Sequence, residues 1–149
     1  MAAAEHAVLT RPSCDLSFAV KASILIHLGR PDEAIPLVRF AIRLSPVYPP
    51  YYPTILGYAY YHCEKFKEAH EATKISIKAD PSNLEALILM TTIHVAMGDM
   101  EKARRTAQTI KDTHPEFSPA FLAANHHYRD QKYLNQILTH LNKVEFSVP

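Results

Sequence analysis

Prolines recur at a fixed interval in this chain: Pro12, Pro46, Pro81 and Pro115 are separated by 34, 35 and 34 residues. Each marks a place where a helix must stop, because proline lacks the amide hydrogen and crowds the preceding residue out of helical geometry. Alanines keep the same interval. Ala34, Ala69 and Ala103 each stand 12 residues before one of the last three prolines. Gly29 and Gly98 each lie five residues before one of those alanines, and Glu64 takes the equivalent place in the middle unit. Such a period limits the fold more tightly than any local propensity, since one unit cannot bury its apolar face alone and must stack on its neighbours.

Within each period the apolar spacing predicts an antiparallel helix pair: roughly 15–28 with 31–45, 51–63 with 66–79, and 83–97 with 100–113. The units span 15–46, 50–81 and 83–115. Another first helix is expected from Ser118 and Pro119, a cap followed by proline at the first helical position. A turn then leads to Gln131 through Val144, capped by Asp130, with Tyr133, Leu134, Ile137, Leu138 and Leu141 at helical spacing. This pair, 117–144, is expected to cap the array. Counting back from Pro12, residues 1–13 match the end of a second helix, which suggests a piece of a longer protein.

The stretch from Tyr52 to Asn83 resembles the tetratricopeptide repeat (TPR), a helix-turn-helix unit of about 34 residues. It carries that family's Leu-Gly at Leu56 and Gly57, a tyrosine at Tyr60, an aromatic at Phe66, the small residue at Ala69 and the closing proline at Pro81. The chain contains no tryptophan, and Phe18, Pro53, Leu87 and Phe121 stand where the family's large early aromatic is expected. The resemblance implies an all-α, right-handed superhelical solenoid of antiparallel helix pairs, with about three repeats and C-terminal capping helices. Small side chains at Gly57 and Ala69 let paired helices approach, with Tyr60 and Phe66 filling the space beside them.

The ending resembles the close of the repeat region behind the catalytic domain in many bacterial class III adenylate and guanylate cyclases. The matching residues are Pro115, Glu116, Phe117, Ser118, Phe121, Tyr128, Arg129, Asp130, Leu134, Ile137, Leu138 and Leu141. The resemblance implies a regulatory module of a bacterial signalling protein; no stretch resembles the cyclase catalytic domain.

Composition excludes several classes of function. The chain has 149 residues, enough for one domain with a real core, and 16 basic against 15 acidic side chains give a net charge of +1. No surplus of positive charge is available for a nucleic-acid backbone. Cys14 and Cys63 form no Cys-x-x-Cys pair, which fits a reducing compartment. No apolar run approaches a membrane span and the start lacks a leader pattern, so a soluble, cytoplasmic setting is expected.

Catalytic chemistry finds no foothold. The nine histidines include no pair at helical ligand spacing: His62 and His70 are eight apart, and His126 and His127 are adjacent. Three glycines cannot build a phosphate cradle, and no Gly-x-Ser-x-Gly turn is present. His62 beside Cys63 points to another helix face. No enzyme activity, metal or cofactor is expected.

In the TPR family the first helix of each pair lines a concave groove. Tyr51, Thr54, Ile55, Tyr58, Tyr61 and His62 share one stripe there, joined by Glu85, Ile88, Leu89 and Thr92 from the next unit and by Ala19, Ser23 and Ile26 from the one before. Tyrosine suits protein recognition, with a rigid apolar body and a hydroxyl. No lysine or arginine lies on the stripe, so the expected partner is a protein or peptide segment held by apolar and aromatic contacts. Tyr58 and Tyr61 are expected to be replaceable without unfolding. The alternative expectation is self-association through the ends of the stack, and behind it a metal-binding or enzymatic helical domain, which would need a histidine cluster formed by the fold.

Overall fold

The computed structural model describes residues 14–144, so the remnant helix expected over 1–13 lies outside the described residues. Eight helices and no strand are present among the described residues: α1 Asp15–His27, α2 Pro31–Leu44, α3 Tyr51–His62, α4 Phe66–Ala79, α5 Leu84–Ala96, α6 Met100–Thr113, α7 Pro119–Asn125 and α8 Gln131–Asn142.

Helix starts follow from side-chain caps. Asn83 accepts the Ala86 amide at 2.9 Å, Asp99 the Lys102 amide at 3.1 Å, Ser118 the Phe121 amide at 3.1 Å and Asp130 the Lys132 amide at 3.0 Å. Pro31 and Pro119 sit at helix starts, where a missing amide hydrogen costs nothing. Pro36 lies within α2 on its exposed side, where water can take the carbonyl it leaves unbonded.

The ends of α1, α3 and α5 share one device. Gly29, Glu64 and Gly98 adopt φ of 79°, 58° and 80°. In each turn the next amide reaches back five residues: Arg30 to the Leu25 carbonyl, Lys65 to that of Tyr60 and Asp99 to that of His94, all at 2.9 Å. This left-handed closure reverses the chain in three residues and sets the antiparallel hairpins α1/α2, α3/α4 and α5/α6.

The hairpins stack in order, α3 on α2 and α5 on α4, while α1, α3 and α5 also touch in succession on one side. Alanines mark the close approaches: Ala34, Ala69 and Ala103 are all 0% exposed. Gly57 faces α4 so tightly that a methyl group there would overlap the Thr73 hydroxyl and lie 2.9 Å from Leu89. Helix α5 is the hub. Every residue from Ala86 to Val95 is buried, because α3, α4, α6 and α8 surround it.

The last two helices depart from the stacking rule. Helix α7 ends after seven residues, and the chain crosses back without helix before α8 begins. Apart from its neighbour α7, α8 packs chiefly against α5, on the side lined by the first helices, instead of covering the far end of α6. Its apolar stripe, Leu134, Ile137 and Leu141, is 5%, 1% and 0% exposed within the same core as α5. Burial of that stripe against an apolar hub, worth about 2 kcal/mol for each large side chain, favours this docking over the polar outer face of α6.

Candidate partner-binding groove

First helices α1, α3 and α5 touch in succession and form one face of the stack. Across it runs a strap, residues 126–130. The Arg129 amide donates to the His27 carbonyl at the end of α1, 2.8 Å away. The Tyr128 ring stacks on the His27 imidazole with centroids 4.8 Å apart. On the other side His126 Nε2 lies 3.4 Å from Glu85 Oε1 at the start of α5, an ion pair when the imidazole is protonated. Between strap and helices lies a pocket of about 270 Å³.

Seven residues of the anticipated stripe line this pocket: Ser23, Ile26, Tyr51, Thr54, Ile55, Tyr58 and Glu85. Tyr51 stands at the rim, 45% exposed, against the edge of Tyr52. The Tyr58 hydroxyl donates to Glu85 Oε2 at 2.9 Å. Thr54 turns its hydroxyl toward α4, donating to Ser76 at 2.8 Å, and Ser76 donates onward to the Pro50 carbonyl.

The other six lie elsewhere, Ala19 packed with Ala41 and Tyr52. Tyr61 and His62 are beneath α8, with the Tyr61 hydroxyl 2.6 Å from His140 Nδ1. Ile88, Leu89 and Thr92 are buried in the hub, at most 1% exposed, and the Thr92 hydroxyl donates to the Leu89 carbonyl of its own helix. Tyr61 is 0% exposed and Tyr58 9%, so both are core members as well as stripe members. Truncating Tyr61 would empty a filled site at a cost of about 3–5 kcal/mol, so its replacement by alanine is a stability change before it is a binding change.

His27, Asn83, His126 and Tyr128 complete the pocket and were not on the anticipated stripe. Two of them come from the strap, which has no helical period to betray it. The Tyr128-Arg129-Asp130 step was the one visible signal.

The electrostatics follow from this enclosure. Burial raises the Tyr58 hydroxyl well above its usual range, and the neighbouring Glu85 charge adds to the shift. Burial pushes the Glu85 carboxyl upward, but the His126 hydrogen bond and charge and the Tyr58 hydroxyl outweigh it and leave the carboxyl below its ordinary value. Burial takes His62 down to about 4, against an opposing hydrogen bond from Gln136. One neutral tautomer serves both neighbours of that imidazole: Nδ1–H donates to Gln136 Oε1 at 3.4 Å, and Nε2 accepts from the Tyr128 hydroxyl at 3.1 Å. Tyr128 thus touches His27, His62 and His126. Among the described residues no group of three or more His, Cys, Asp or Glu is placed to hold a metal ion, and no helix is long and apolar enough to cross a membrane.

Hairpins and their stacking order together define an all-α solenoid of the tetratricopeptide-like kind. Among solved structures the chain is similar to two crystal structures of MamA. The first has a TM-score of 0.70 at 16% sequence identity, covering 95% of this chain and 82% of that one. The second has 0.68 at 17%, covering 99% and 85%. No family model matches the sequence, and no curated protein matches it.

Proposed function

We propose that the domain is a non-catalytic protein-interaction module that holds a segment of a partner protein in the groove closed by its own strap. The observation that supports this most directly is the pocket: a mostly apolar, tyrosine-lined recess with one carboxylate, on the side of the array where first helices converge. The domain serves as a regulatory part of a larger bacterial signalling protein such as an adenylate or guanylate cyclase. Support for that finer reading is the run from Pro115 to Leu141, which supplies the strap and α8. The coding sequence on either side of this chain tests it, since a neighbouring catalytic or DNA-binding domain would name the pathway. A reducing, cytoplasmic setting agrees with the free thiols of Cys14 and Cys63.

Panning a displayed peptide library on the immobilised chain tests the groove. Selected peptides should lose at least tenfold in affinity when the half-exposed Tyr51 is changed to alanine. Peptides indifferent to Tyr51→Ala and to Tyr58→Phe would place the partner site on another face.

A second reading, self-association, draws on the first hairpin. Leu16 and Val20 on α1 are 48% and 42% exposed, and Phe40 and Leu44 on α2 are 37% and 36% exposed. Both are i, i+4 pairs at the same end of the hairpin, and they leave four large apolar side chains open to a second copy.

A further inference from the structure

Resting on the groove reading above, we propose that the pocket beneath the strap selects a basic side chain of the partner segment, arginine in preference to lysine. Its wall carries a single carboxylate, that of Glu85, and neither a lysine nor an arginine. Half of the Glu85 side chain, 49%, is exposed, and the groups that touch it are a neutral hydroxyl and an imidazole. A permanent cation from a partner would therefore meet an acid with no permanent counter-charge.

The surroundings suit the rest of such a side chain. Tyr51, Tyr58 and Tyr128 bring three phenol rings to the recess, and aromatic faces attract a cation held within about 6 Å of the ring centre. Ile26 and Ile55 supply apolar wall for a methylene stem. The volume, about 270 Å³, is that of a socket for one long side chain and is too small for a helix. Arginine fits better than lysine because its planar fork can address the carboxylate with two donors while its face lies on an aromatic ring. An acidic side chain or a chain-terminal carboxylate would confront Glu85 with like charge.

The probes are the capped tripeptide Ac-Leu-Arg-Leu-NH2 and its counterpart with citrulline, which keeps the shape of arginine without its charge. Nuclear magnetic resonance of the isotope-labelled chain reads where each binds. The arginine peptide should give saturable shifts at Tyr51, Tyr58 and Glu85, with citrulline binding at least fivefold more weakly. Glu85→Gln should remove that preference while its amide oxygen still accepts from Tyr58, and Tyr51→Ala should weaken the arginine peptide about twofold to fivefold. Equal binding of both peptides at these residues would overturn the charge selection and leave the groove reading standing. Shifts elsewhere, or none with either peptide, would overturn both.

Discussion

Glu64 shows how a single residue can be out of step with its surroundings. It holds φ of 58° at the turn where the other two units place Gly29 and Gly98. A side chain in left-handed geometry crowds its own carbonyl, at a cost of about 1–2 kcal/mol for an ordinary residue. The turn forms regardless, because the Lys65 amide still reaches the Tyr60 carbonyl and Phe66 still packs against Tyr61 at 5.9 Å. Glu64→Gly should therefore stabilise the domain by about 0.5–1 kcal/mol, the strain relieved less the entropy of a freer unfolded chain. Urea unfolding of the two proteins at neutral pH checks this; a glycine variant that is less stable would mean that the Glu64 side chain makes a contact outweighing its strain. The position was legible from the interval alone, because the interval places Glu64 with two glycines.

At the scale of an element, the docking of α8 depends on imidazoles staying neutral. His62 titrates near 4 in the folded chain because it is buried, with Gln136 opposing that shift and the charge of His27 adding to it. An unfolded histidine titrates near 6.5, so between these values the unfolded chain binds the extra proton. Stability is therefore full above about pH 6.5, falls as pH drops through the window, and loses no more from this group below about pH 4. At pH 5 the loss is about 2 kcal/mol relative to pH 7. His94 and His140 are also lowered by burial, with His70 and Lys143 respectively as neighbouring positive charges, so they act in the same direction. Unfolding curves at pH 7 and pH 5, for the natural chain and for His62→Gln, test this; equal pH dependence in both would clear His62 of the role.

The helix pairs could be read in advance because prolines, alanines and helical spacing report on neighbours within one turn or one period. Where α8 would lie could not. Its partners are set by contacts such as Tyr61 with His140, 79 residues apart, and Tyr133 with Gly29, 104 apart. A helical stripe such as Leu134, Ile137 and Leu141 says that one face will be buried and is silent about what will bury it. The groove stripe suffered the same division. Tyr51 and Tyr58 face the pocket while Tyr61, one turn on, meets α8.

On the scale of the whole molecule, the self-association reading rests on the exposed apolar pairs of the first hairpin. Light scattering across a concentration series should show a mass rising toward that of a dimer if that face is used, and Val20→Lys with Phe40→Lys should hold the chain at one copy. A mass constant over the series would remove self-association as a reading.

The hydrogen bond from Arg129 to His27 joins residues 102 positions apart and ties the strap to the first hairpin. An ordinary stack of repeats behaves as a linear chain of coupled units, free to fray from either end with its middle intact. Here the strap returns to α1, so the described helices are linked across the stack as well as along it. Separating α8 from the core must also break the contacts of the strap with α1, which couples the last described helices to the first described hairpin. The same closure delays folding, because the last residues must arrive before the first unit is complete.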